Sequence, residues 1–281
     1  MTDNVLEMKK SMTIVRDTRS ADTPELWLEV CIVGDQYEIG NFAEMLVPAR
    51  CTRVELPEDA DVVIFTGGQD VNPALYGQEP HASVQWDEER DAADIDVYTQ
   101  CIDEGIPMFG VCRGAQFLHV MNGGRLYQDI NNHNGDHSMY DLKGRKLIEK
   151  VSSVHHQACI ANPEGGMEVI ATSSKADFRW LTPTQSLAGC RPDVEAYFYR
   201  DTCCFGVQGH PEYRGYSEFA KWTMHRMNEF FLENPDLALK GRVRRIKDSV
   251  LDARNEHWAE IAAKTMVIDD AVVIENKQET K

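Results

Sequence analysis

The sequence is poor in positive charge for its length. Among 281 residues, Lys and Arg total 29 and Asp and Glu total 46, which gives a net charge of −17 at pH 7. Proteins that bind nucleic acids or anionic membranes need a basic surface to contact phosphates, so this balance argues against both classes of partner. Hydrophobic residues make up 42% of the chain, enough to bury a core and to exclude a disordered acidic polymer.

Long apolar runs and paired cysteines are also missing. No apolar stretch approaches the roughly 18–20 residues that span a bilayer, and Met1–Lys10 has no apolar segment typical of a signal peptide. The eight cysteines form no CxxC pair, so we expect neither a disulfide framework nor a zinc knuckle. These absences predict a reduced, cytoplasmic protein.

The chain shows no internal repeat and no flexible linker, and its strand and helix patterns alternate. This alternation predicts an α/β fold with a mostly parallel central sheet and flanking helices. The predicted strands are Leu26–Val33, Arg53–Leu56, Asp61–Thr66, Pro107–Val111, Lys146–Val151, Met167–Ala171, Ala196–Arg200 and Cys203–Gln208. The predicted helices are Tyr37–Leu46, Asp91–Glu104, Gly114–Met121 and Ser217–Leu232.

The composition changes near residue 237. We therefore expect one enzyme domain over 1–236 and a helical, charged extension over 237–281 that begins with a basic cluster. The extension is either a solvated helix with a frayed end or a docking segment for another subunit or an anionic ligand.

The strongest motif is the segment Gly110–Gln116 (GVCRGAQ), in which an apolar strand enters Gly-x-Cys-x-Gly and a helix follows. This is the cysteine form of a nucleophile elbow. The sharp turn needs glycine on both sides of the nucleophile, and it places the thiol of Cys112 at a helix N-terminus, which favours the thiolate.

A thiolate nucleophile needs a base, and the base needs an orienting group. His210 and Glu212 follow the predicted strand Cys203–Gln208 and are two residues apart, so both can lie on one side of the chain. The sequence thus predicts a triad in which Glu212 orients His210 and His210 faces Cys112.

Acyl transfer also needs hydrogen-bond donors for an oxyanion. The backbone N–H of Arg113, directly after the nucleophile, is one expected donor. Gly68 follows the predicted strand Asp61–Thr66, where a glycine pair lets the backbone approach a ligand, so it is expected to supply the second.

These residues resemble the triad-type (class I) glutamine amidotransferases, which have a flavodoxin-like fold, and within them the γ-glutamyl-γ-aminobutyrate hydrolase branch. The matching segments are TGGQDVNPALY at 66–76, GVCRGAQ at 110–116, GGRLYQDI at 123–130, HHQ at 155–157 and VQGHPE at 207–212. They occur in the family's order and span about three-quarters of the chain.

The resemblance implies hydrolysis of a γ-glutamyl amide through a thioester. It also implies that a polar set holds the glutamyl group: Gln116, His155, His156 and Gln157. Arg90, Asp91 and Asp94 also fit the branch, although helix capping would explain them equally well.

The sequence departs from the branch at two positions. His119 stands where asparagine is usual, and Gly209 stands where tryptophan is usual. We expect the missing indole to open or reshape the pocket of the leaving amine.

Two functions remain open at this stage. The first is a free-standing hydrolase that releases a small amine; the second is a glutaminase subunit that supplies ammonia to a synthetase partner. A homo-oligomer is also open. No metal or organic cofactor is expected, because thiolate, imidazole and backbone donors suffice for the hydrolysis. His133 and His137 have the spacing of a metal pair, but the surrounding asparagines predict a loop with structural histidines.

Overall fold

A computed structural model describes residues 23–189, 192–215 and 217–233. The tail predicted at 237–281 lies outside these residues. The strands, numbered in chain order, are β1 Glu29–Val33, β2 Thr52–Val54, β3 Val62–Phe65, β4 Met108–Val111, β5 Leu126–Tyr127, β6 Asp129–Ile130, β7 His137–Asp141, β8 Lys146–Val151, β9 Ala158–Cys159, β10 Met167–Ser173, β11 Phe178–Thr182, β12 Gln185–Ala188, β13 Asp193–Tyr199 and β14 Cys204–Val207.

The α-helices are α1 Gln36–Ile39, α2 Ala43–Leu46, α3 Glu88–Glu104, α4 Arg113–Met121 and α5 Glu218–Met227. Short 3₁₀ turns span Gly40–Phe42, Pro57–Asp59, Pro73–Tyr76, Pro163–Gly165 and Pro211–Arg214, and a π-helical turn spans Asn228–Glu233. Helix α3 begins at Glu88 because the side chain of Asp87 accepts hydrogen bonds from the N–H groups of Glu89 and Arg90.

Nine strands form the central sheet in the order β2-β1-β3-β4-β14-β13-β10-β7-β8. In this order, the first five strands, β2-β1-β3-β4-β14, pair in parallel. Every pair from β14–β13 to β7–β8 is antiparallel. Strands β3, β4 and β14 are buried along their whole length, which explains why each is a continuous apolar run. The parallel half brings the carboxyl ends of these three strands to one edge.

Two apolar cores lie on the two faces of the sheet, as strand alternation requires. Ile64 packs in the core that contains the α2 and α5 side chains, whereas Val63 and Phe65 pack in the core that contains the α3 and α4 side chains. The result is three layers with helices on both sides of the sheet.

The fold class expected from the sequence is confirmed. The largest differences lie in the middle of the chain, where β7, β11 and β12 were not predicted, and at the last helix, where α5 passes into the π-helical turn at Asn228. Within the described ranges, no helix combines the length and apolarity needed to cross a membrane.

Candidate active site

Cys112 lies between the end of β4 and the start of α4, in the strained backbone that the elbow motif predicts. Its φ is 51° and its ψ is −111°, a region that residues other than glycine rarely adopt. A Cβ atom on Gly114 would lie 2.1 Å from the carbonyl oxygen of Phe65, and one on Gly110 would lie 2.6 Å from the backbone nitrogen of Ala115. Only glycine fits at either position, so the close contacts of the turn account for the two glycines of the motif.

His210 and Glu212 follow β14, the parallel neighbour of β4, so they reach the same edge of the sheet as Cys112. The Nδ1 atom of His210 lies 2.7 Å from Oε1 of Glu212, and both side chains are buried. A Cβ atom on Gly67 would lie 3.0 Å from Cε1 of His210 and 3.8 Å from Cβ of Cys112, so imidazole and thiol flank the same glycine. The structure thus brings together the three predicted triad residues.

The electrostatics of His210 favour its charged form. Burial alone would lower the pKa of His210, but interaction with the Cys112 thiolate and with Glu212 outweighs burial and raises that pKa well above its ordinary value. Burial shifts the pKa of a thiol upward, because the charged form of a thiol is the thiolate. It raises the pKa of Cys51 and that of Cys204 to about 11. These electrostatics favour the protonated form of His210 at the edge of the sheet.

The two expected oxyanion donors lie on either side of Cys112. Arg113 is the first residue of α4, and a helix leaves its first N–H groups without an intrahelical acceptor. Gly68 follows β3, which pairs with β4, and has a φ of 146° that favours glycine. The assignment of both N–H groups to an oxyanion hole remains a proposal.

The side chain of Arg113 points away from this role and into a buried ion-pair network. Its guanidinium contacts the carboxylates of Asp91 and Asp94 on α3, and both acids are buried. Arg90 binds the same Asp94 through Nε at 2.9 Å, and its Nη2 lies 3.4 Å from the carbonyl oxygen of Thr66, just before the Gly67–Gly68 pair. These α3 residues therefore anchor both the elbow and the glycine loop, a role that helix capping does not describe.

The residues expected to hold the glutamyl group fall into two sets. Gln116 donates from Nε2 to the carbonyl oxygen of Gln157 at 3.1 Å, and His155 contacts the same oxygen through Nδ1 at 2.8 Å. His155 is buried against His133, with ring centroids 4.7 Å apart, so it supports Gln157 from inside the protein.

His156 forms the second set and is half exposed. Its Nε2 lies 3.0 Å from Asp70, two residues after Gly68, and its Nδ1 lies 3.2 Å from Asp129. His156 is therefore placed beside the glycine loop, where it can contact a ligand.

Tyr213 is a candidate that the sequence reasoning missed. Its ring stacks on the His210 imidazole with centroids 4.2 Å apart and an interplanar angle of 11°, and its hydroxyl lies 3.2 Å from Oε1 of Glu38. Its position directly after the His-Pro-Glu segment was the only signal in the sequence, because Glu38 is 175 residues away in the chain.

Gly209 does not open a pocket in the way the sequence analysis expects. A Cβ there would lie 2.5 Å from Cγ1 of Val151, 2.9 Å from the carbonyl oxygen of Ser152 and 3.0 Å from Cε1 of Phe219. The space beside Gly209 is thus filled by protein atoms, and the expectation of an enlarged amine pocket at this residue is wrong. His119, the other departure, is buried and bonded to Tyr199.

Comparisons with known proteins show the family of this chain. The family model of peptidase C26 matches residues 49–212, more than half of the chain. The chain is 31% identical over 169 residues to Rv2859c of Mycobacterium tuberculosis, whose name assigns it provisionally to the glutamine amidotransferases; the match covers 53% of this chain and 50% of that protein. It is 29% identical to Protein NtpR of Enterococcus hirae, over 55% of this chain and 68% of that protein.

A more distant relative is the carbamoyl phosphate synthase small chain of Helicobacter hepaticus, with 26% identity over 42% of this chain and 28% of that protein. The chain spans about half the length of the first of these relatives. The family match covers the elbow at Cys112 and extends to Glu212. The chain belongs to the peptidase C26 family, within the class I glutamine amidotransferase superfamily.

Proposed function

We propose that this chain is a cysteine-dependent hydrolase of γ-glutamyl amide bonds that works through a Cys112–His210–Glu212 triad. The observation that carries the proposal is the placement of Cys112, at φ 51° on a strand-to-helix elbow, beside a histidine whose Nδ1 is held 2.7 Å from a buried glutamate. A nucleophile, a base and an orienting carboxylate are the parts that acyl transfer needs.

The proposed reaction has two halves. The Cys112 thiolate attacks the γ-carbonyl carbon, and the N–H groups of Arg113 and Gly68 stabilise the oxyanion. The C–N bond breaks as the His210 imidazolium gives its proton to the leaving amine, which leaves a γ-glutamyl thioester. A water molecule then loses a proton to His210 and attacks the thioester, which releases glutamate and the Cys112 thiolate.

Recognition of the glutamyl group is assigned to the polar residues around the elbow. Gln116 lies one turn after Cys112, and its side-chain amide donates to the Gln157 carbonyl oxygen. His156, bonded to Asp70 beside the glycine loop, is the exposed member of the set. The TGGQDVNPALY and GGRLYQDI segments support the γ-glutamyl-γ-aminobutyrate hydrolase branch as the nearest functional type.

The test is turnover of a panel of γ-glutamyl amides by the purified chain, with free glutamine in the same assay. Wild type should hydrolyse at least one γ-glutamyl amine, and Cys112→Ala should lose turnover. Cys51→Ala is the matched control, because Cys51 is a partly buried thiol in the same chain and outside the site. Hydroxylamine should trap γ-glutamyl hydroxamate from the wild type. Turnover by Cys112→Ala at the wild-type rate would contradict the proposal.

A second candidate is a glutaminase subunit that releases ammonia to a synthetase partner. The likeness to a carbamoyl phosphate synthase small chain favours it, since that protein's name describes a subunit. The same assay separates the two. If the protein hydrolyses free glutamine but no γ-glutamyl amine, and does so only after a synthetase is added, the glutaminase-subunit function is favoured. Turnover of γ-glutamyl amines by the isolated chain favours the hydrolase.

A further inference from the structure

Three buried side chains that the proposed reaction does not use converge on the antiparallel half of the sheet. His133 lies in the loop after β6, His137 opens β7, and Glu195 lies on β13. One nitrogen or oxygen of each lies within 4.8 Å of those of the others, and all three side chains are at most 1% exposed. The sequence analysis assigned the two histidines to a structural loop because asparagines surround them, and Glu195, about 60 residues away in the chain, gave no local signal.

The distances within this cluster suit a metal ion. The Nε2 atom of His137 lies 2.9 Å from Oε1 of Glu195, and the Nδ1 atom of His133 lies 3.5 Å from the same oxygen. In a tetrahedral zinc site with bonds of about 2.0–2.1 Å, neighbouring ligand atoms are about 3.3 Å apart. The two observed separations lie on either side of that value, so small shifts would accommodate an ion.

The groups around the cluster match those that usually orient metal ligands. The other nitrogen of His133, Nε2, lies 3.2 Å from Oδ2 of Asp193, and Arg179 holds that aspartate through Nε at 2.8 Å. Ser173 donates from its hydroxyl to Oε1 of Glu195 at 2.7 Å. Histidine ligands commonly bond a carboxylate through their second nitrogen, which fixes the ring and raises its basicity.

His155 packs beside this cluster. Its ring centroid lies 4.7 Å from that of His133, and its Nδ1 is engaged by the Gln157 carbonyl at 2.8 Å. That bond fixes the proton on Nδ1 and leaves a lone pair on Nε2, the neutral form that binds metals.

Several polar atoms of the cluster are buried without a hydrogen-bond partner among the described residues. They are Nδ1 of His133, Nδ1 of His137, Nε2 of the neighbouring His155 and Oε2 of Glu195. Leaving such atoms unpaired in a protein interior destabilises the folded state. A metal ion would satisfy the nitrogen lone pairs together, whereas hydrogen bonds within the cluster do not.

We propose that His133, His137 and Glu195 bind one divalent transition-metal ion, with Zn²⁺ the best match and the fourth position left to a water molecule. The ion is structural and takes no part in the proposed reaction. It would tie the loop after β6 to β7 and β13. Because the Gln157 carbonyl accepts from both His155 and Gln116, the site also supports the region where glutamyl binding is proposed.

The experiment measures metal in the full chain, with any purification tag removed. After exposure to Zn²⁺ and dialysis, wild type should retain about one ion per chain, and bound Co²⁺ should give the visible absorption of a four-coordinate site. Glu195→Gln, which keeps the side-chain size but removes the charge, should retain less than about a tenth as much. His119→Asn is the matched control, because His119 is also buried but lies outside the cluster.

Two further measurements keep the outcome decisive. Cys112→Ala should retain the ion, which separates this cluster from zinc bound by the triad. If Glu195→Gln fails to fold, the wild type itself gives the answer: stripping the ion should lower Tm, and Zn²⁺ at about 100 times Kd, but not Mg²⁺, should restore roughly 5–10 °C. A wild type that retains no metal, or a Cys112→Ala variant that loses it, would overturn the proposal and leave the cluster as a buried ionic network.

Discussion

His210 experiences opposing influences at the residue scale. Burial disfavours its charge, while the Cys112 thiolate and Glu212 favour it strongly enough to raise its pKa. Tyr213 covers one face of the ring, and Glu212 holds Nδ1. The imidazole is therefore fixed in position and in charge, which suits a group that must protonate a leaving amine.

His210 and Glu212 are expected to contribute unequally. His210→Ala should lower kcat by about 10²–10⁴-fold, because it removes the group that transfers the proton. Glu212→Gln keeps a hydrogen-bonding group beside Nδ1 but loses the charge, so it should retain more activity. Steady-state kinetics on a γ-glutamyl amide measure both, and equal rates for wild type and His210→Ala would exclude the triad.

Gly209 is expected to matter for stability and not for the choice of amine. Gly209→Ala would place a methyl group 2.5 Å from Val151 and 2.9 Å from the Ser152 carbonyl, and overpacking of this kind typically costs about 1–3 kcal/mol. Urea denaturation should show the loss of unfolding free energy, while the relative rates across a panel of amines stay the same. A changed amine preference with unchanged stability would contradict this account.

At the scale of elements, α3 and α4 are joined by buried charges. Arg113 at the start of α4 binds Asp91 and Asp94 of α3, and Arg90 links Asp94 to Thr66 at the end of β3. The elbow and the glycine loop thereby share one anchor. Both proposed oxyanion donors depend on that anchor for their position.

Weakening the anchor should affect stability and rate together. Asp94→Asn leaves the buried guanidinium of Arg113 and the partly buried one of Arg90 with one carboxylate fewer, and breaking a buried pair costs up to about 3–5 kcal/mol. A misplacement of about 1 Å at the elbow can lower the rate about 10²-fold. Chemical denaturation and kcat measure the two effects. Asp96→Asn, an exposed position on the same helix, is the control and should change neither.

At the scale of the whole molecule, burial makes the fold sensitive to acid. His119 lies in the α4 layer, with Nδ1 2.9 Å from the Tyr199 hydroxyl and Nε2 3.1 Å from the Arg125 carbonyl oxygen. Burial lowers the pKa of His119 to about 4. Between pH 6.5 and 4 the unfolded chain therefore takes up a proton that the folded chain refuses.

The unfolding free energy should fall as the pH drops through this window. The stabilisation that depends on neutral His119 is complete above pH 6.5. Below that pH it declines by about 1.4 kcal/mol per pH unit, so the loss of unfolding free energy reaches about 3 kcal/mol at pH 4. His119→Asn should make the dependence of unfolding free energy on pH shallower by about one proton in that window. An identical slope in both proteins would show that His119 does not carry this sensitivity.

Local patterns determined the fold class and the proposed triad. Continuous apolar runs indicated buried parallel strands, and Gly110-x-Cys112-x-Gly114 predicted an elbow, because only glycine avoids the contacts that the turn creates. His210 and Glu212 could be identified because two residues at a strand end suffice to define a base and its partner. Each of these signals is contained in a few consecutive residues.

Tertiary structure alone decided the contacts between distant segments. A Cβ atom at position 209 would point at Val151 and Phe219, and no local pattern around this position reveals those neighbours. His133 and His137 meet Glu195 only because β13 lies next but one to β7 in the sheet, with β10 between them. The order of strands in the sheet is set by packing of the whole chain, because side chains that are far apart in sequence contact each other only after the intervening strands have paired.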